Sequence, residues 1–167
     1  MKTNLLNLMS KVSILERDCS DLMYDLKANC MNISIIELNG REEELENNSD
    51  FDDRLRKFMD MQEEVTKLKG IICDKNNELK LSNGKSIAQT LIELKNKRKM
   101  LYIMKELSQK NSTKERTTET NNSYFTNRQL AYDKAAMQQC YESLSEEIQA
   151  LEFEISQLNS IMFEIDN

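Results

Sequence analysis

Chemistry in this chain would have to come from four cysteines and a surplus of carboxylates, because there is no histidine. Cys19, Cys30, Cys73 and Cys140 include no CxxC pair. Tetrahedral zinc needs closely spaced Cys or His ligands, so the spacing argues against a metal site. A Cys–His or Ser–His–Asp relay cannot be built within one chain that lacks His. Carboxylates can act as general acids and bases, and there are 29 acidic residues. They recur on helix faces opposite apolar seams, not as pairs against apolar walls. Gly40, Gly70 and Gly84 lie too far apart to form a phosphate-cradling loop. The expectation is a chain that is not an enzyme, with no catalytic residue, metal, cofactor or small-molecule substrate. Cys19 falls on an apolar seam and Cys140 beside one, so the thiols read as buried apolar fillers. Free thiols favour a reducing, cytoplasmic compartment.

The formal net charge is −6. Residues 1–83 carry 12 basic and 17 acidic side chains and residues 84–167 carry 11 and 12, so the acidity sits in the first half. Phosphate contacts dominate nucleic-acid affinity, which makes such a chain a poor nucleic-acid binder. The one basic run, Lys95, Lys97, Arg98 and Lys99, has acids nearby (Glu93, Glu106) and no interleaved aromatics. It reads as a solvated helix face, with the Lys97 stem able to lie over the seam. The N-terminus has no long apolar run, so neither a signal peptide nor a membrane-spanning helix is expected. Asn-x-Ser/Thr triplets at Asn32, Asn47, Asn111 and Asn121 read as Asn-rich turns.

Proline, which breaks helix interiors, is absent. Met137, Tyr141, Leu144, Ile148, Leu151, Ile155, Leu158, Met162 and Ile165 recur at spacings of four and three, the seam of a helix packed lengthwise on others. Leu5, Val12, Cys19, Leu22 and Leu26 belong to a similar stripe. So do Phe58, Val65, Leu68 and Ile72, and, less regularly, Leu91, Leu94 and Leu101. Four helices follow, over about residues 3–30, 52–80, 87–109 and 133–165. Ser86 and Gln89 form a capping box, Asp133 caps the fourth helix and Asp52 the second. Asn83-Gly84 can supply a positive φ between the second and third helices.

Between the helices of each pair lie two tips, 32–46 and 112–127. In the first, Asn39-Gly40 is the preferred two-residue type I′ hairpin turn. The second is Thr-rich, with Asn121-Asn122 followed by Tyr124 and Phe125. The expected fold is all-α: two tandem antiparallel helical hairpins, residues 1–83 and 84–167, in an elongated coiled-coil-like four-helix bundle with small β-hairpin-like tips. A shift of 82 lays Leu5 on Ile87 and Val12 on Leu94, and a shift of 83 lays Val65 on Ile148 and Leu68 on Leu151. That agreement suggests a duplicated helical hairpin.

Residues 86–165 resemble the septicolysin-like family of small bacterial helical proteins. The resemblance rests on Ala88-Gln89-Thr90-Leu91-Ile92 and on "EIQALEFEISQLNSIMFEI" from Glu147 to Ile165. The family pattern prefers an apolar residue where Lys97 stands and often has Arg near Lys95. The resemblance implies a helical bundle and little biochemistry; the lytic activity that the family's name suggests is not carried over.

The expected role is a non-catalytic helical protein that mediates self-assembly or protein–protein interaction, as a homo-oligomer or with a protein partner. Phe153 and Phe163 are the expected leftover apolar surface. The alternative is a membrane-active protein, pore-forming or peripheral, for which only "NISIIEL" (32–38) and "SIMFEIDN" (160–167) are candidate segments. Both are short and lack the cations an interfacial helix uses.

Overall fold

A computed structural model describes residues 2–46, 48–120 and 122–165. Asn47 and Asn121, and the tail of the 160–167 segment, lie outside the described residues. The element order is β1 (Lys2–Thr3), α1 (Leu5–Ala28), β2 (Ile33–Ile36), β3 (Glu42–Glu46), α2 (Phe51–Glu78), α3 (Ile87–Gln109), β4 (Thr113–Glu119), β5 (Asn122–Arg128), α4 (Lys134–Asn159) and β6 (Phe163–Glu164). The all-α expectation is therefore corrected. Among the described residues six strands join the four helices, paired antiparallel as β1–β6, β2–β3 and β4–β5. Ile and Thr, which suit a pleated backbone, occupy strands where a helical bundle would have only loops.

The chain divides into two compact units, Met1–Asn76 with Asn159–Asn167, and Asn77–Leu158. The first is discontinuous because β6 pairs with β1, Thr3 opposite Phe163 and Lys2 opposite Glu164. This pairing also corrects the fourth helix, which ends at Asn159 and not near 165. Threes and fours continue through Met162 and Ile165, but the chain there is extended or irregular.

In the first unit α1 opens on Asn4, whose side chain accepts from the Asn7 N–H at 2.8 Å. α2 starts one residue before the expected cap. The Asp50 carbonyl takes the Arg54 N–H, and Asp52 lies in the first turn. The core is Leu8, Val12 and Cys19 from α1 with Val65 and Leu68 from α2. Leu15, Phe58, Met61, Ile71, Ile72, Phe163 and Ile165 pack against it. Phe163 is thus part of the packing rather than leftover surface, with the Lys75 ammonium 5.1 Å from its ring centre. Ion pairs flank the seam: Lys11–Glu64 at 2.6 Å, Lys69–Glu16 at 2.5 Å and Arg54–Asp25 at 2.6 Å.

In the second unit the full capping box forms. Gln89 N–H donates to Ser86 Oγ at 3.2 Å, and Ser86 N–H to Gln89 Oε1 at 3.0 Å. Asp133 Oδ1 accepts from the Ala135 N–H at 2.8 Å. The buried residues include Leu81, Ile87, Thr90, Leu94, Ile148 and Ile155. Thr90 tolerates complete burial because its hydroxyl donates to the Ser86 carbonyl at 3.0 Å. Leu81-Ser82-Asn83-Gly84-Lys85 forms a closed turn, pinned to α4 through Glu154, which accepts from the Ser82 N–H (3.1 Å) and hydroxyl (2.7 Å).

Candidate interaction surfaces

The seam residues divide by burial. Leu5, Val12, Cys19, Val65, Leu68, Leu94, Ile148 and Ile155 are buried. Leu22, Phe58, Ile72, Leu101, Met137, Tyr141, Leu144, Leu151 and Leu158 are half-buried, whereas Leu91 and Met162 are exposed. Leu91 is turned out because the buried face of α3 runs through Ile87, Thr90 and Leu94. Between Leu94 and Ile148 only Ser108 is buried among the described residues. The distal part of the second helical pair thus covers its own seam only partly. A groove of about 520 Å³ opens there, lined by Met100, Met104, Ala136, Gln139, Cys140, Ser143, Leu144 and Glu147.

The thiols do not behave as one class. Cys19 is buried, and desolvation by that burial, with the Asp18 charge, raises its pKa and keeps it a protonated thiol of low reactivity. Cys30, Cys73 and Cys140 are exposed, which corrects the expectation of buried fillers. Cys30 lies beyond the end of α1, Cys73 on α2, and Cys140 on α4, where it lines the groove. Among the described residues no group of three Cys, Asp or Glu could hold a metal ion. Two members of the basic run, Lys97 and Arg98, are tied up in ion pairs. Lys97 reaches Glu147 at 2.6 Å and Glu93 at 3.4 Å with its side chain mostly covered, and Arg98 reaches Glu152 at 2.6 Å. The Glu147 hydrogen bond raises the Lys97 pKa. The hydrogen bond from Lys85 holds Glu93 below its ordinary value.

The first hairpin places chemistry in the open. All of β2 and β3 is exposed. Its turn is not type I′, which requires positive φ at both central residues. Only Gly40 has it (φ 85°), and the Gly40 N–H donates to the Glu37 carbonyl at 2.9 Å. The loop is therefore Leu38-Asn39-Gly40, a tight turn followed by a left-handed glycine. Asn39 takes a second role, its Oδ1 accepting from the Arg41 N–H at 2.8 Å. At the tip, Met31, Ile33, Ile35, Ile36, Leu38 and Leu45 are all exposed. Beside them stand Glu42, Glu43, Glu44 and Glu46. The apolar side chains were visible in the sequence, but their exposure was not, since a β-branched run reads equally well as a buried strand.

The second hairpin is longer and runs in register from Thr113–Arg128 to Glu119–Asn122. It satisfies much of its own polarity. Arg128 meets Glu115 at 2.8 Å, Tyr124 Oη donates to Glu119 at 3.2 Å, and Lys114 lies 4.9 Å from the Phe125 ring centre. Tyr132, just before α4, donates to the Leu107 carbonyl at 2.5 Å and ties the return of the hairpin to the end of α3. No helix among the described residues is long and apolar enough to cross a membrane.

Comparison with protein-family models, with curated proteins and with solved structures found no match to this chain. Nothing about function is carried over from the septicolysin-like resemblance of residues 86–165.

Proposed function

We propose that this chain is a non-catalytic assembly module that acts by binding protein, a second copy of itself above all. One observation carries this: the first hairpin leaves Met31, Ile33, Ile35, Ile36, Leu38 and Leu45 all exposed, with Ile33 and Ile35 on one face and Ile36 on the other. Single exposed apolar residues are ordinary, but this many on one short hairpin mark it as an interaction element. A two-stranded hairpin open on both faces is also marginal by itself, so a partner that covers it stabilises it. Two covered groups give no support to catalysis. The Cys19 thiol is buried and protonated, and Lys97 and Glu93 hold each other's charge.

A membrane-active role is less well supported. To enter lipid, the segment from Ile33 to Leu38 would have to carry Glu37 with it. The paired strand Glu42–Glu46 would be repelled by an anionic surface.

Light scattering on the purified chain over a concentration series tests the assembly reading. The molar mass should climb above the 19.6 kDa of one chain as concentration rises. A mass that stays at 19.6 kDa throughout contradicts self-assembly.

A further inference from the structure

The two hairpins of this chain carry complementary faces. In the second, the register puts Lys114 opposite Asn127 and Arg116 opposite Phe125. Alternation along a strand then places Lys114, Arg116 and Phe125 on one face, with the Lys114 ammonium 4.9 Å from the Phe125 ring centre and no acid among the described residues of that face. The other face holds Glu115 with Arg128 and Glu119 with Tyr124, already paired. In the first hairpin, Ser34 lies opposite Glu44 and Ile36 opposite Glu42, so Ile36, Glu42 and Glu44 share a face with Ser34. Ser34 Oγ donates to Glu42 Oε1 at 2.7 Å. A hollow of about 420 Å³ lies there, lined by Asn32, Ile33, Ser34, Glu42 and Glu44.

The spacing matches as well as the sign. Glu42 and Glu44 are two residues apart on one strand, and so are Lys114 and Arg116 on another. Each pair therefore spans about 6.8 Å on an extended backbone. Each face also carries one exposed apolar side chain beside its charges, Ile36 on one and Phe125 on the other.

We propose that the Ile36–Glu42–Glu44 face of one copy docks on the Lys114–Arg116–Phe125 face of a second copy. The carboxylates meet the two cations while Ile36 packs on the Phe125 ring. A second copy is the fitting occupant because the complement is present on the same chain. Docking the first hairpin on another first hairpin would oppose carboxylate to carboxylate, which is destabilising. The contact joins two different surfaces, so it is heterologous and builds rings or open chains of copies. This rests on the self-assembly reading and specifies one of its surfaces, the face opposite Ile33 and Ile35.

Charge reversal tests it by sedimentation velocity at low salt. Glu42→Lys/Glu44→Lys makes both faces cationic, and Lys114→Glu/Arg116→Glu makes both acidic. Each variant alone should associate at least about a hundredfold more weakly than the wild type, since like charges brought together cost several kcal/mol. Mixed at equal concentration the two variants should associate again, because each now carries the other's complement. The chain bearing all four reversals should recover association by itself. Circular dichroism checks that every variant keeps its helix content. Association of either double variant at wild-type strength overturns the docking faces and leaves self-assembly standing. A wild type that never associates overturns both. Failure of the mixture to recover also overturns the docking faces.

Discussion

The segments Glu37-Leu38-Asn39-Gly40-Arg41 and Leu81-Ser82-Asn83-Gly84-Lys85 build the same turn and put it to opposite uses. In both, the glycine takes a positive φ, 85° at Gly40 and 79° at Gly84. In both, the glycine N–H donates at 2.9 Å to the carbonyl three residues back. In both, the asparagine side chain accepts from the residue two positions on, at 2.8 Å in one and 2.9 Å in the other. Their surroundings differ. Leu81 is 5% exposed and the neighbouring Ser82 is held by Glu154, whereas Leu38 is fully exposed at 111%. Local chemistry dictates the turn; tertiary packing decides whether it closes a core or presents a surface. The second turn is completed inside its own unit. The first carries apolar side chains that are exposed among the described residues, which is why assembly is assigned to it.

The widest split between the two turns should come from truncating their leucines. Leu81→Ala should destabilise the fold by about 2–5 kcal/mol, as core truncations do, while Leu38→Ala should stay within about 0.5 kcal/mol at dilute concentration. Urea melts of both variants measure this, and equal losses would erase the distinction between a buried and a displayed turn. Gly40→Ala and Gly84→Ala come next. An added Cβ meets nothing within 4 Å at either site, so only backbone strain remains, about 1–2 kcal/mol in each case. The Gly84 variant should lower the midpoint of global unfolding, and the Gly40 variant should show mainly as faster amide exchange in residues 33–46. Ser86→Ala, which removes the cap next to the buried turn, should cost about 1 kcal/mol in the same melts.

The smallest effect is in pH dependence. The Arg54 hydrogen bond, with Asn29, lowers the Asp25 pKa, and the Lys85 hydrogen bond lowers that of Glu93. A carboxyl whose folded pKa is depressed stabilises the fold above its unfolded value, and that contribution is lost as pH falls through the folded one. Asp25→Asn and Glu93→Gln should each flatten the acid side of the stability profile. Lys97 has the opposite sign. Its raised pKa stabilises the fold below the ordinary lysine range and is lost as pH rises through the folded value, so Lys97→Met should flatten the alkaline side and, because Lys97 also helps lower the Glu93 pKa, weaken part of the acid side.

The helices were legible because a 3.6-residue period leaves a stripe that survives irregularities such as Lys97. α3 spans Ile87–Gln109, as the capping box and stripe indicate. The stripe misled past Asn159, where Met162 and Ile165 keep the spacing while the backbone has left the helix to pair with Lys2–Thr3. Strands of two residues have no period to read, and their partner lies at the other end of the chain. Asn39-Gly40 marked the place of a turn but not its type, because only the glycine needed a positive φ. At the candidate surface, Phe153 is exposed as expected, but Phe163 is packed. The exposure of Ile33, Ile35 and Ile36 needed the structure, since a β-branched run does not show by itself whether it is packed or open.

Amide hydrogen exchange at low and high protein concentration tests the contrast most directly. If the first hairpin is completed by another copy, exchange in residues 33–46 slows as concentration rises, while exchange in residues 81–86 does not change. Identical exchange in residues 33–46 at both concentrations, with the protein above the range where assembly is expected, would contradict the account.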